Sequence, residues 1–240
     1  MKTLLQGDCQ KLLADIPDKS VDMILCDLPY GVTANKWDTP LSMANLWQHY
    51  NRVCTGPVVL TAVQPFTTVL ITSNLNSFRY ELIWDKGKGS NPLLANKRPM
   101  SSHESILVFG RTPVYNPQMK EGTPYKSPRT GGNRTNSNVG AKGDSVGFVQ
   151  ATKDTTKRFP LSVMKYSIHC GSKLHPAQKP EGLMSELIMT FTDPGMTVLD
   201  NCMGSGSTGV AALKCNRSFI GMELNQNYFE IAEQQMEGLL

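Results

Sequence analysis

The 240-residue chain has no apolar run approaching the roughly 20 residues needed to cross a bilayer. Its start, MKTLLQGDCQ, lacks the apolar stretch and cleavage site of a secretory leader, and a cytoplasmic location without membrane contact is the expectation. Among the six cysteines (Cys9, Cys26, Cys54, Cys170, Cys202 and Cys215) there is no CxxC pair, which argues against a zinc site or a disulfide framework. His169, Cys170 and His175 are the densest soft-ligand group, but their spacing fits no zinc pattern, so no metal is assigned. No GxxxxGK[ST] phosphate loop and no internal repeat occur.

The net charge of +4 conceals two opposed regions. Residues 86–173 carry fifteen Lys and Arg against four Asp and Glu, while the remainder is acidic. A basic block set in an acidic body suits a polyanionic partner; charge alone is equally compatible with a solvated surface loop. Residues 111–174 are also rich in Gly, Pro, Asn, Ser and Thr and poor in apolar periodicity. So long a stretch inside a domain points to an insertion that orders on its partner.

On either side, hydrophobic period predicts alternating strands and helices. Strands are expected at Thr3–Gln6, Val21–Cys26, Pro57–Val63, Tyr80–Trp84, Ser105–Phe109, Thr197–Leu199 and Phe219–Met222. Leu12, Leu13 and Ile16, then Leu46, Trp47, Tyr50 and Val53, then Phe66, Val69 and Leu70 have helical spacing. So do Leu183, Met184, Leu187, Ile188 and Phe191 after Pro180, and two more helices follow residues 206 and 225. Such alternation implies an α/β fold with a mostly parallel sheet covered on both faces.

Asp8, Asp27, Asp200 and Glu223 each end a predicted strand. In an open parallel sheet those ends line a common crevice; one acid there could be a helix cap, but four are harder to explain that way. Asp200 opens the turn Asp200-Asn201-Cys202-Met203-Gly204-Ser205-Gly206-Ser207-Thr208, where glycine lets backbone approach a ligand. The turn is read as a GxG pair, short of the dinucleotide fingerprint, and Glu223 stands where a carboxylate accepts from a ribose diol. An adenosine-type pocket without a phosphate site results.

Asp27-Leu28-Pro29-Tyr30 supplies the complementary chemistry. An exocyclic base amine is a poor nucleophile because its lone pair is delocalised into the ring. Asp27 and the Leu28 carbonyl, accepting its two hydrogens, would localise that pair. Pro29 stiffens the turn, and Tyr30 offers a flat face to a base swung out of its stack. A strand-ending turn with a packed tyrosine is the bland alternative.

At these residues the chain resembles the β group of amino-methylating DNA methyltransferases, especially phage and prophage members. DLPY at Asp27–Tyr30 resembles the family's DPPY, and HPAQKP at His175–Pro180 its HPTQKP. VLDNCMGSGST at Val198–Thr208 resembles the cofactor loop, FIGMELN at Phe219–Asn225 the acidic strand after it, and HESILVF at His103–Phe109 a later catalytic-domain strand. The resemblance implies a Rossmann-like S-adenosylmethionine-dependent fold with a seven-stranded sheet and circularly permuted motif order. It assigns a catalytic half to 1–110, a basic target-recognition insertion to 111–174 and a cofactor half to 175–240.

By the same resemblance, Asp200, Cys202 and the Gly204, Ser205, Gly206 and Ser207 turn would hold the methionine portion of S-adenosylmethionine. Glu223 would bind the ribose, Asp8 the adenine amine and Lys179 the carboxylate end. Two departures stand out: Leu28 replaces the first proline of DPPY, and Asn201-Cys202 replaces Pro-Phe. An acidic first residue favours adenine N6 over cytosine N4. Transfer is expected to be direct, with Cys26 and Cys202 as small buried residues rather than nucleophiles. Lys97, Arg98, Arg111, Lys126, Arg129, Arg134, Lys157 and Arg158 are the candidates for contacting double-stranded DNA. A homodimer stays open. The alternatives are an N4-cytosine enzyme, an RNA or protein-amide methyltransferase, a nucleotide-binding oxidoreductase and a non-catalytic DNA-binding module.

Overall fold

In the computed structural model, residues 1–31, 41–90, 92–124, 156–168 and 178–239 are described. The elements run β1 (Lys2–Gln6), α1 (Cys9–Asp15), β2 (Met23–Cys26), α2 (Met43–Val53), β3 (Pro57–Ala62), α3 (Phe66–Ser73), β4 (Phe78–Ser90), β5 (Ser101–Gly110), β6 (Lys120–Glu121), β7 (Lys157–Arg158) and β8 (Val163–Lys165). They continue through α4 (Glu181–Phe191), β9 (Thr197–Asp200), α5 (Ser207–Lys214), β10 (Ser218–Glu223) and α6 (Gln226–Gln235). Two compact units emerge, one of Met1–Asn116 with Ser162–Leu240 and one of Pro117–Leu161. The smaller unit is narrower at both ends than the insertion expected over 111–174; within it β6 and β7 pair antiparallel.

The larger unit holds one sheet in the order β1-β10-β9-β2-β3-β5-β4-β8. Only β5 runs against its neighbours, so the sheet is mostly parallel as expected. It has eight strands rather than seven. The extra one, β8, has a single buried residue, Met164, between exposed neighbours, too short an apolar signal to register as a strand, and it pairs with β4 across Ile83–Asp85.

Period-two alternation divides the core between two faces. Met23, Leu25, Val59, Val108 and Val198 pack with Leu183, Leu187 and Phe191 of α4, Val210 and Ala211 of α5, and Ala232 of α6. Ile24, Cys26, Val58, Leu60, Phe109 and Leu199 pack with Leu13 of α1, Leu46, Trp47 and Tyr50 of α2, and Phe66 and Leu70 of α3. Each fully buried Leu, Ile or Phe stabilises by about 1.5–3 kcal/mol, which fixes which face every helix covers.

This wiring makes a switch point. From β2 the chain crosses through α2 to β3 on one side; from β9 it crosses through α5 to β10 on the other. Neighbouring β2 and β9 therefore diverge at their C-terminal ends, where doubly wound sheets open their ligand crevice.

Candidate active site

Strands β1, β10, β9 and β2 are consecutive and parallel, with Gln6 opposite Glu223, Gly221 opposite Asp200, and Ile24 opposite Leu199. Asp8, Glu223, Asp200 and Asp27 end or follow these four strands, so the sheet brings all four carboxylates to one edge. The turns after β2 and β9 lie on the same rim, on adjacent strands spaced about 4.8 Å apart.

On the β2 side, Asp27 is already engaged. Its Oδ1 accepts from the Tyr30 hydroxyl at 2.5 Å and from the Thr61 hydroxyl, and its Oδ2 lies 2.7 Å from Lys179 Nζ. Lys179 Nζ is also 3.2 Å from Glu104 Oε2, and Glu104 Oε1 is 2.6 Å from Lys86 Nζ. Burial opposes the charge on Lys179, but the Asp27 and Glu104 carboxylates outweigh it and raise its pKa. Burial, then the Asp27 charge, push the Tyr30 hydroxyl well above its ordinary value, so it stays a protonated donor. The Tyr30 ring centroid is 5.4 Å from that of Phe66. The Leu28 side chain is buried, and its carbonyl accepts no hydrogen bond among the described residues.

On the β9 side, Asp200 is buried and accepts from the Cys202 N–H at 3.0 Å; burial pushes its carboxyl up to about 6. Glu223 accepts from Gly204 N–H at 2.9 Å and Asn225 N–H at 2.7 Å, and burial raises its pKa. Asp8 caps α1 by accepting from Gln10 N–H. Gly206, at φ +88°, is the N-cap of α5, while the Ser205 carbonyl accepts from Gln235. The Asn201-Cys202 departure is accommodated locally. Asn201 Oδ1 accepts from the buried Tyr50 hydroxyl at 2.6 Å, and Asn201 Nδ2 donates to the Cys202 sulfur at 3.5 Å. Burial pushes the Cys26 thiol up to about 12, leaving no thiolate nucleophile there.

Gly209 extends Gly204 and Gly206 to a full G-x-G-x-x-G spacing, so the turn is not a bare GxG pair. A Cβ at Gly209 would come within 2.6 Å of Phe219 and 2.4 Å of Met236, the close helix–strand packing that the third glycine of that pattern serves. Glycine spacing therefore does not separate this turn from a dinucleotide loop. The carboxylates do: Asp200 accepts from the Cys202 N–H and Glu223 from the Gly204 N–H, so two donors of the turn already face carboxylates rather than a pyrophosphate.

Lys97 and Arg98 are exposed in the connection between β4 and β5, and Arg111 is exposed just past β5. Lys157 and Arg158 form β7 in the smaller unit, where Arg158 donates to the Thr123 carbonyl. Lys126, Arg129 and Arg134, like His169, Cys170 and His175, lie outside the described residues. Thr61, Lys86 and Glu104 escaped the sequence reading. An acid inside the apolar run HESILVF was the available signal for Glu104.

A DNA methylase family model, N6_N4_Mtase, matches residues 62–234, well over half of the chain. The chain belongs to the N6/N4 DNA methylase family. The type II methyltransferase M.BglII of Bacillus subtilis is 28% identical over 99% of this chain and 69% of its own length, and M.HinfI of Haemophilus influenzae 24% identical over 98% and 68%. Among solved structures, the M1.HpyAVI–SAM complex superposes with a TM-score of 0.65 at 20% identity, covering 99% of this chain and all of that one. The cytosine-N4-specific PvuII DNA methyltransferase gives 0.69 at 16% identity, over 98% and 86%. In this methylase, Glu104, Lys179, Asp200 and Glu223 fall inside the family match; Asp8 and Asp27 precede it.

Proposed function

We propose that this methylase transfers a methyl group from S-adenosylmethionine to the N6 amine of adenine in double-stranded DNA. The observation that carries the proposal is the adjacency of the Asp27–Tyr30 turn and the Asp200–Gly206 turn at the β2/β9 switch point. The residues present suit the cofactor. Asp200 and Glu223 offer anionic acceptors to a sulfonium or amine and to a sugar diol. The cofactor supplies an electrophilic methyl group.

Everything else falls to the chain. Asp27 and the Leu28 carbonyl accept the two amine hydrogens and turn the nitrogen lone pair toward the methyl group; Tyr30 carries the ring that faces the base. Catalysis then rests on holding donor and acceptor in line, and on Asp27 offsetting the positive charge that develops on nitrogen. Exposed Lys97, Arg98, Arg111 and Lys157 serve the phosphate backbone, together with the basic residues of the insertion.

A cytosine-N4 target is the second reading, supported by the likeness to the cytosine-N4-specific PvuII enzyme. The acidic residue at position 27 favours adenine. Incubating unmethylated DNA with the protein and labelled S-adenosylmethionine, then resolving the nucleosides, decides between them. N6-methyladenine is expected; N4-methylcytosine moves the target, and no label in DNA sinks the proposal.

A further inference from the structure

We infer that Lys179, held by Glu104, is a positioning residue for the acceptor carboxylate Asp27 rather than a ligand of the cofactor's carboxylate end. The inference rests on the methyltransferase reading above and extends it to how Asp27 is aimed.

The four charges form a line: Lys86, Glu104, Lys179 and Asp27, joined at 2.6, 3.2 and 2.7 Å. Side-chain exposure is 10%, 11% and 9% along the first three and rises to 24% at Asp27, so the line emerges from the interior at the carboxylate that meets substrate. The Lys179 ammonium also lies 5.9 Å from the ring centroids of both Tyr30 and Trp84, while Lys86 lies 5.4 Å from that of Trp84. Two carboxylates and two aromatic rings thus hold Lys179 in place, and its ammonium cannot move toward a third anion without lengthening an ion pair.

A buried chain of charges is a weak way to add stability, because desolvation consumes most of the Coulomb gain and apolar side chains of similar volume do as well. What such a chain does well is fix orientation. A carboxylate offers about four lone-pair sites. At Asp27 the Tyr30 and Thr61 hydroxyls take both on Oδ1, and Lys179 takes one on Oδ2. One Oδ2 site remains, matching the single amine hydrogen that Asp27 has to accept while the Leu28 carbonyl takes the other. Lys179 therefore selects which oxygen meets the amine, and Glu104, anchored by Lys86, keeps Lys179 from following the carboxylate when substrate arrives.

The test compares wild type, Lys179→Met, Glu104→Gln and the double variant in the DNA methylation assay, with S-adenosylhomocysteine affinity from calorimetry. In Lys179→Met, kcat is expected to fall ~10²-fold, the scale of a misaligned reacting group, with S-adenosylhomocysteine affinity within about twofold of wild type. Glu104→Gln should lose roughly tenfold in kcat at unchanged KM for S-adenosylmethionine, and the double variant should be no worse than Lys179→Met by more than about twofold, since the two act in series. Preserved kcat with S-adenosylhomocysteine affinity weakened tenfold or more in Lys179→Met overturns the inference, as do additive losses in the double variant. Should Lys179→Met fail to fold, Glu104→Gln decides alone through the split between kcat and KM. An inactive wild type sinks the methyltransferase reading itself, whereas an active wild type with a fully active Lys179→Met sinks the positioning role only.

Discussion

Two carboxylates on neighbouring strand ends have different surroundings. Asp27 receives two hydroxyls and an ammonium, all donors. Asp200 is buried with no ion pair among the described residues, and burial raises its pKa from 3.8 to about 6. Replacing Asp27 with Ala removes the amine acceptor but nothing from the β9 turn. Methyl transfer to DNA should become undetectable while S-adenosylhomocysteine binding, followed by calorimetry, stays within a few-fold; measurable turnover would exclude Asp27 as the acceptor. Asp200 carries a signature in stability. Its raised folded pKa means that the folded state holds a proton the unfolded chain has released, so the stability it confers is complete below about pH 4 and is lost as pH rises through about 6. The loss is about 3 kcal/mol. Urea unfolding of Asp200→Asn should therefore show a gain over wild type at pH 7.5 that vanishes near pH 4; a gain independent of pH would assign the effect to packing instead.

Among the elements, α5 starts under the closest constraint. Gly206 and Gly195 both have φ +88°, but a Cβ at Gly206 would come within 2.9 Å of Met236 and 3.0 Å of Ala232 on α6, whereas one at Gly195 meets nothing within 4 Å. Both Ala variants incur the left-handed backbone cost of about 1–2 kcal/mol, and Gly206→Ala alone adds overpacking of about 1–3 kcal/mol. Melting or urea curves should rank Gly206→Ala below Gly195→Ala by that margin, with equal losses refuting the contact with α6. Elements with a strong period were legible in the sequence: Leu183, Leu187 and Phe191 announced α4, and Val198-Leu199 announced β9. Length was less so. The strands β4 and β5 run to Ser90 and Ser101, past the apolar cores at Tyr80–Trp84 and Ser105–Phe109, because exposed strand ends pair through backbone and leave no hydrophobic trace. Lys179 illustrates the same limit at the site. Its motif was recognisable, but its partners Asp27 and Glu104 are 152 and 75 residues away in sequence, and no local pattern encodes such a meeting.

For the whole molecule, charge and fold are partitioned along the chain in the same way. The acidic remainder supplies most of the sheet and all four rim carboxylates; the basic block runs from the end of β4 through the smaller unit to residue 173. An acidic rim meeting a polyanion would be repelled unless the approach is dominated by cations elsewhere, so the basic block has to carry the electrostatic part of binding. Each phosphate neutralised releases condensed counterions, and the slope of log K against log salt falls by about 0.9 per contact on duplex DNA. Substituting Ala for Lys126, Arg129 and Arg134 together should reduce the magnitude of that slope by up to roughly 3 and weaken binding to any duplex about equally, target site or not. The same triple variant should leave S-adenosylhomocysteine affinity unchanged. Fluorescence anisotropy across a salt series reads the slope directly. A variant that binds random duplex with the wild-type slope, yet discriminates poorly between target and non-target DNA, would instead assign these three residues to base edges.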